Sequence, residues 1–544
     1  MYSIGLDFGT ESCRAIIIDV NCGKVCGSTI SNYRNSVIDK FLPNQSDFQL
    51  PDKWALQNPD DYIESMIKSV KKLLDISKIS PDKICGLGID FTSCTIIPTD
   101  EFGKPLSYFV EYKNNPHAWA KLWKHHSSDE QAKKITMIAN ENNLDWIEKY
   151  GGSISAEWLI SKGLQILEEA PEIYKASKYF VEAGDWIVWQ LTGKLIRNKC
   201  AAGYKGLWNE DNGYPDKIFL SKLNKDFIDF YDHKIFGEVI NSGKKVSTLN
   251  KEFSELLGLN IDTIISSAII DAHSAFIGVG ISKPKKMMII LGTSACHIVL
   301  SEEYKFIKGI SGIVKDGIID GYYAYEGGQA SFGDNLKWFV ENLTPIKYFK
   351  EAENLGVSIY DLLEDYASKL DESKIISLDW FNGNRTPLVD SNLSGLIVGM
   401  NVTTEAPEIY LSLLESLAYG SKIILDQFKE NGIEIEEIIC SGGISKKSKL
   451  LMQILSDVTN RKISVIESDQ ASAIGAAILG ALASGSKFGG YDNIEEAMLN
   501  MSSSINEVYS PNTANQLKYS KLFYEYKRLF HYFSKENNIM KTLN

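Results

Sequence analysis

Two stretches far apart in the chain share one pattern. The first is "LDFGTESCRAIII" near the start, the second "IILGTSACHIVL" past the midpoint. Each sets Gly-Thr-x-x-Cys between two apolar runs, so that Gly9, Thr10 and Cys13 match Gly292, Thr293 and Cys296. Apolar, β-branched runs broken by a glycine turn read as a β-hairpin. Two such hairpins predict two related lobes, each opening on strand, glycine turn and strand, with a cleft between them that grips one ligand from both sides. The pattern breaks at "ISKPKKM" (281–287), where Pro284 and a run of lysines read as the linker between lobes.

Length agrees with this division. A chain of 544 residues, 44% of them hydrophobic, holds two or more domains at about 100–200 residues each. We expect an N-terminal lobe over 1–280, a C-terminal lobe over 281–500 and a helical tail over 501–544. In the first lobe, "NPDDYIESMIKSVKKLLDIS" has helical spacing, and "KICGLGIDFTSCTIIPTD" returns to strand. The stretch 110–255 is helical and aromatic. In the second lobe, "FGDNLKWFVENL" and "EIYLSLLESLAYGSKIILDQF" read as helices and "LDWFNGNRTP" as a loop. "IEEIICSGGISKKSKLLMQILSDV" reads as strand, Gly-Gly turn and helix. The aromatic, basic tail "NQLKYSKLFYEYKRLFHYF" is expected to be surface packing.

Composition excludes several classes. The net charge of −13 gives no field that gathers nucleic acid. No window is apolar for eighteen residues, so no membrane span is expected. "AIGAAILGALASG" comes nearest; it is short and rich in small residues, which suits a helix packed closely on another element. The N-terminus does not read as a signal peptide. The eight cysteines are scattered, without paired zinc-finger spacing, and suit reduced, buried thiols of a cytoplasmic protein. Neither G-x-x-x-x-G-K-[ST] nor a G-x-G-x-x-G after a strand is present, so a nucleotide must be held by other means.

A glycine hairpin supplies those means. Gly9 lets backbone approach a phosphate, while Thr10, Ser12 and nearby N–H groups donate to its oxygens. Arg14 is a fixed cation within reach of a terminal phosphate, and Asp7 suits a hydrated Mg²⁺. Gly292, Thr293 and Ser294 offer the same donors from the second lobe. Either hairpin alone reads equally well as a plain turn; the pairing favours a phosphate clamp. Gly442 and Gly443 open a helix, which suits a base and ribose, an anion or a simple turn. Asp271 follows Ile269 and Ile270 at a strand end, as a general base or the N-cap of the next helix. His273 beside it reads as packing or orienting. Glu326 and Lys205, taken singly, read as surface residues.

Taken together and in order, "GLDFGTES", "GIDFTSCT", "NPHAWAKLWKHH", "GGSISAEW", "AAGYKGLW", "DAHSA", "LGTSACHI", "EGGQASFGD", "LDWFNGNRTP" and "SGGISKKS" resemble the FGGY carbohydrate kinases, of the actin, Hsp70 and hexokinase superfamily. The likeness runs from about residue 2 to 500. It implies an α/β fold of two actin-like (ribonuclease H-like) lobes, each a mixed five-stranded sheet with flanking helices. ATP would lie in the cleft and the sugar deeper, mostly on the N-terminal lobe. By the same resemblance Asp271 is the catalytic base and Asp7 the Mg²⁺-linked carboxylate. Ser93, Lys205, Asp271 and Glu326 fall where a ketopentose is held, and Gly292, Thr293 and Gly443 at ATP positions. The LWKHH and DWFNGNRTP segments fit the L-ribulose branch of the family better than the xylulose or glycerol branches. The expected partners are a small-molecule sugar and no nucleic acid or membrane, with a homodimer left open. Alternatives are another ketopentose or pentitol (D-ribulose, L-xylulose, ribitol), or an ATPase of the superfamily without a sugar acceptor. The helical insert and the Lys205–Asp271–Glu326 set argue against the last.

Overall fold

The computed structural model describes residues 1–43, 45–370 and 373–543. They form two compact units. The first comprises Met1–Ser282, Gly312–Ala324 and Gln470–Ser503, and the second Lys283–Ser311, Tyr325–Asp469 and Ser504–Asn544.

The first unit opens with β1 (Tyr2–Phe8), β2 (Ser12–Asp19) and β3 (Val25–Asn32). Helix α1 (Pro59–Ser77) follows, started by the Asn58 side chain, which accepts from the Asp60 N–H, and by Pro59 in the first turn. Its Tyr62, Met66, Val70 and Leu73 recur at helical spacing and are buried. β4 (Ile84–Phe91) is buried along its whole length. Helix α2 (Lys199–Lys205), strands β5 (Lys245–Thr248), β6 (Ile264–Ser266) and β7 (Ile269–Ile270), and helix α3 (Asp271–Gly278) complete the frame. The sheet runs β5-β6-β4-β1-β2-β3, with β7 also on β4. β1 is antiparallel to β2 and parallel to β4. The stretch between β4 and β5 is helical and aromatic, and its Trp119, Trp158, Phe180 and Phe230 join Trp54, from before β4, in a second core.

The second unit repeats these neighbour relations. β8 (Lys286–Leu291) is antiparallel to β9 (Ala295–Ser301). Then come β10 (Tyr323–Gln329), α4 (Gly333–Leu343), α5 (Ile359–Ser368) and the long α6 (Ala406–Glu430). β11 (Glu437–Ser441) pairs parallel with β8. The expected helix after it is split at Ser448 into α7 (Gly443–Lys447) and α8 (Lys449–Thr459), before β12 (Lys462–Ile466). The chain returns to the first unit with α9 (Ala471–Ser484), then comes back through β13 (Ile505–Tyr509) and the tail helix α10 (Thr513–His531). Strand order in this sheet is β10-β9-β8-β11-β12-β13, with a short seventh strand (Gly312–Lys315) beside β10.

α9 is the stretch "AIGAAILGALASG", and it does pack closely. Side chains added at Gly5, Gly86 and Gly88 would overlap the backbone oxygens of Ala473, Gly480 and Ala476. Helix backbone lies directly on β1 and β4, so small residues are required on both faces. No described helix is long and apolar enough to cross a membrane.

Two expectations are corrected. Each sheet holds seven strands, not five. In the first, β6 and β7 occupy one strand position beside β4, interrupted at Ser267 and Ala268, and β5 adds an edge. In the second, β13 extends the edge beyond β12. The cysteines are all free, but Cys22 is exposed and Cys26 and Cys296 are half-buried. Cys22 sits in the turn between β2 and β3, where no core can cover it.

Candidate functional site

In the first unit three aspartates meet at one end of the sheet. Register places Asp7 of β1 beside Asp90 of β4, and Asp90 beside Ile269 of β7. One step on, Phe8, Phe91 and Ile270 form the next row, and Asp271 follows as the first residue of α3. The strands β1, β4 and β7 are parallel, so all three carboxyls lie at their C-terminal ends. Open α/β sheets bind ligands at that end. Phe8 and Phe91 stack with ring centroids 5.1 Å apart, which fixes the two strand ends together.

The three carboxyls differ in environment. Burial pushes the Asp7 carboxyl up, while the Arg14 guanidinium, 3.0 Å away across the hairpin, opposes that shift. Asp90 is wholly buried, and its carboxyl is pushed well above the carboxylate range, first by burial and then by the charges of Asp7 and Asp271. Asp271 is partly exposed, and its Oδ1 accepts the Ala272 N–H at 2.7 Å. The backbone at a helix N-terminus favours a negative charge there. His273, two residues on, is buried, with Nδ1 3.0 Å from Cys200 Sγ and its ring 4.2 Å from Tyr204. Those contacts tie α3 to α2.

Lys205 ends α2 and is buried, not at the surface. Its charge is felt by Cys94 and by Glu182. Cys94 adjoins Ser93 in the turn after β4, so Ser93 and Lys205 belong to one neighbourhood. Glu182 is itself buried there, its carboxyl raised to about 8 by burial and by Asp185.

The first hairpin closes with Gly9 N–H on Ser12 O at 2.9 Å. Thr10 is held from behind: Trp123 Nε1 donates to its hydroxyl at 3.1 Å and Gln57 Nε2 to its carbonyl at 2.6 Å. Ser12 starts β2 opposite Asn32. Arg14, expected to face a phosphate, is engaged by Asp7. A Cβ on Gly9 would meet only Ser12 O, at an ordinary 3.6 Å. Contacts within the chain leave room for a side chain there.

The second unit has a matching half. Gly292 N–H donates to Ser294 O at 3.0 Å, and Gly292 and Thr293 are exposed. The start of α4 sits on this turn: Phe332 N–H donates to Thr293 O at 2.7 Å and Gly333 N–H to Gly292 O at 3.0 Å. A Cβ on Gly292 would meet only Ser294 O at 3.7 Å, and one on Gly443 nothing within 4 Å. Gly442 differs: its φ of +93° and the nearby Leu291 backbone require glycine for the fold alone. Beside them opens a cavity of 520 Å³, lined by Tyr360, Tyr410, Leu336, Ile444, Asp361 and Glu364. Gly333 and Lys447 also border it, so it lies next to the Gly292 turn. Its size and apolar walls with a few carboxyls suit a small aromatic group. Glu326 lies on β10, buried, its carbonyl held by Ser311 N–H at 3.1 Å and Ser311 Oγ at 3.0 Å.

Asp90, Glu182 and the cavity were not anticipated. Asp90 had a usable signal, since "IDF" (89–91) repeats "LDF" (6–8) in the neighbouring strand. Glu182 and the cavity walls carry no motif; helices and loops distant in sequence assemble them.

Comparison with known proteins identifies the family. Residues 2–278 match the N-terminal domain and 287–484 the C-terminal domain of the FGGY family of carbohydrate kinases. The chain belongs to the FGGY family and is a carbohydrate kinase. Relatives called ribulokinase resemble it from end to end: that of Bacillus licheniformis is 45% identical over 97% of this chain and 96% of its own. The ribulokinase of Halalkalibacterium halodurans is 42% identical over 100% of this chain and 97% of its own. In fold, the chain resembles a gluconate kinase from Lactobacillus acidophilus (TM-score 0.80, 20% identity, covering 98% of each chain). A ligand-bound xylulose kinase from the same organism gives a TM-score of 0.79 at 20% identity, covering 98% of this chain and 99% of its own.

Proposed function

We propose that the protein transfers the terminal phosphoryl group of ATP to L-ribulose, giving ADP and L-ribulose 5-phosphate. The observation that carries the reading is the row of carboxyls at the ends of β1, β4 and β7, where Asp271 is the partly exposed member on a helix N-terminus. The ribulokinase relatives support the choice of sugar.

In this reading Asp271 takes the proton of the terminal sugar hydroxyl as its oxygen attacks the γ-phosphorus. The bond from that phosphorus to the β,γ-bridging oxygen breaks, and ADP leaves with the electron pair. The transition state is loose and highly charged, so positioning and charge stabilisation dominate. Ser93, Lys205 and Glu326 hold the sugar. Gly9, Thr10, Ser12 and Arg14, and Gly292, Thr293 and Ser294, are assigned to the nucleotide phosphates, Gly442 and Gly443 to the base and ribose, and the 520 Å³ cavity to the base. Asp7, the carboxylate at the end of β1, would be the residue to hold a hydrated Mg²⁺. Such an ion supplies charge neutralisation on the phosphates.

The test is turnover of a panel of pentuloses and pentitols with ATP and Mg²⁺, on the parent enzyme and on Asp271→Asn. L-Ribulose should have the highest kcat/KM, and Asp271→Asn should lose kcat by about 10²-fold or more with sugar binding retained. A flat panel rejects the sugar; near-parental turnover of the variant rejects the base.

A further inference from the structure

The tail helix α10 is more than surface packing. Its Tyr519, Phe523, Tyr526 and Phe530 are buried, and Tyr526 Oη donates to Asp379 Oδ1 at 2.7 Å. Asp379 begins the "DWFNGNRTP" loop and is buried. Its other oxygen accepts Gln329 Nε2 at 2.8 Å. Gln329 ends β10, three residues beyond Glu326 on the same strand. The same Nε2 also reaches Leu417 O at 3.1 Å, and Gln329 Oε1 accepts the Ser421 hydroxyl at 2.8 Å, both on α6. Ser421 continues to His297 Nε2 of β9 at 3.2 Å. Tyr526, Asp379, Gln329, Ser421 and His297 are all buried, so these hydrogen bonds are made away from water.

Strand geometry says what this chain of contacts controls. Residues three apart on a strand point to opposite faces. Gln329 therefore anchors β10 from its core side, and Glu326 projects from the other. The loop holds the strand at a second point: Gly328 N–H donates to Thr386 Oγ1 at 3.1 Å, and Thr386 N–H returns to Gly328 O at 3.1 Å.

An independent sign lies in α6. Gly420 stands deep inside this helix, where glycine is an unfavourable residue. A Cβ there would collide with Gln329 Nε2 and Asp379 Oδ2. The helix gives up a side chain to leave room for the Gln329–Asp379 pair.

We propose that Asp379, Gln329 and Tyr526 are positioning residues for the sugar: through them the C-terminal helix sets the placement of Glu326. The inference rests on the assignment of Glu326 to the sugar, and the experiment separates the two. Steady-state kinetics are measured for Glu326→Gln, Tyr526→Phe, Gln329→Met and Gly420→Ala, with thermal unfolding in parallel. Glu326→Gln tests the assignment alone and should raise the sugar KM. Tyr526→Phe keeps the ring and removes only the donor. It and Gln329→Met should raise the sugar KM by about three- to tenfold, with kcat and the ATP KM near parental. Gly420→Ala, which in an ordinary helix stabilises, should raise the sugar KM in the same way. An unchanged sugar KM in Glu326→Gln overturns the assignment and with it the proposal. If Glu326→Gln responds while Tyr526→Phe stays folded with a parental sugar KM, the positioning role alone is overturned. A Tyr526→Phe effect equal on both KM values and kcat also overturns it, because general loosening of the fold has no preference for sugar.

Discussion

The two glycine hairpins share a string of residues but not a register. In the first, Phe8 pairs with Cys13, leaving 9–12 as the turn; in the second, Leu291 pairs with Ala295, leaving 292–294. The second turn is one residue shorter. Cys13 therefore lies in the core, while the matching Cys296 falls one position further along its strand and is half-buried. A one-residue change in register moves a side chain to the opposite face. The rows behind the turns differ as well. Asp7 has Arg14 and Asp90 as its strand neighbours; the equivalent Ile290 has Cys296 and Ser441. What the hairpins keep in common is an open glycine. What separates them is charge, present in one and absent from the other. The shared string thus encodes an open glycine turn, and the surroundings decide which turn has carboxyls behind it.

That contrast is exposed to three pairs of substitutions, taken from the largest expected effect to the smallest. Asp7→Asn should raise the Mg²⁺ concentration for half-maximal turnover by about tenfold or more, a loss typical of altered metal-site groups. Ile290→Val in the matched position should leave it unchanged, and equal responses would erase the distinction. Gly9→Val and Gly292→Val should each raise the ATP KM severalfold with little change in thermal unfolding, since the chain itself leaves space at both sites. A fall in melting temperature without a change in ATP KM would make them structural glycines. Cys13→Ser places a hydroxyl in the core and should destabilise by about 1–3 kcal/mol in denaturant titration. Cys296→Ser should cost below about 1 kcal/mol.

Much of the frame was legible because it is local. Strand, turn and strand could be read at each hairpin from apolar runs and glycine, and α1 and α6 from helical spacing. The small residues of α9 announced a close contact without saying with what. Asp7 and Asp271 were legible because each ends an apolar strand. Lys205 and Glu326 were not, since a single lysine or glutamate has no pattern; only the family resemblance pointed to them. The tail read as a surface helix because its aromatic residues are mixed with lysines, and Tyr526 finds its partner in Asp379, distant in sequence.

By itself the sequence determined the duplication, the glycine turns and the strand-end carboxylates, because each arises from backbone preferences and periodicity within a few residues. Tertiary structure decided which carboxyl is buried between two others, that α9 returns to the first unit, and that the tail helix reaches Asp379. Those outcomes depend on burial and on the meeting of distant segments, and neither quantity is written in any short stretch of chain.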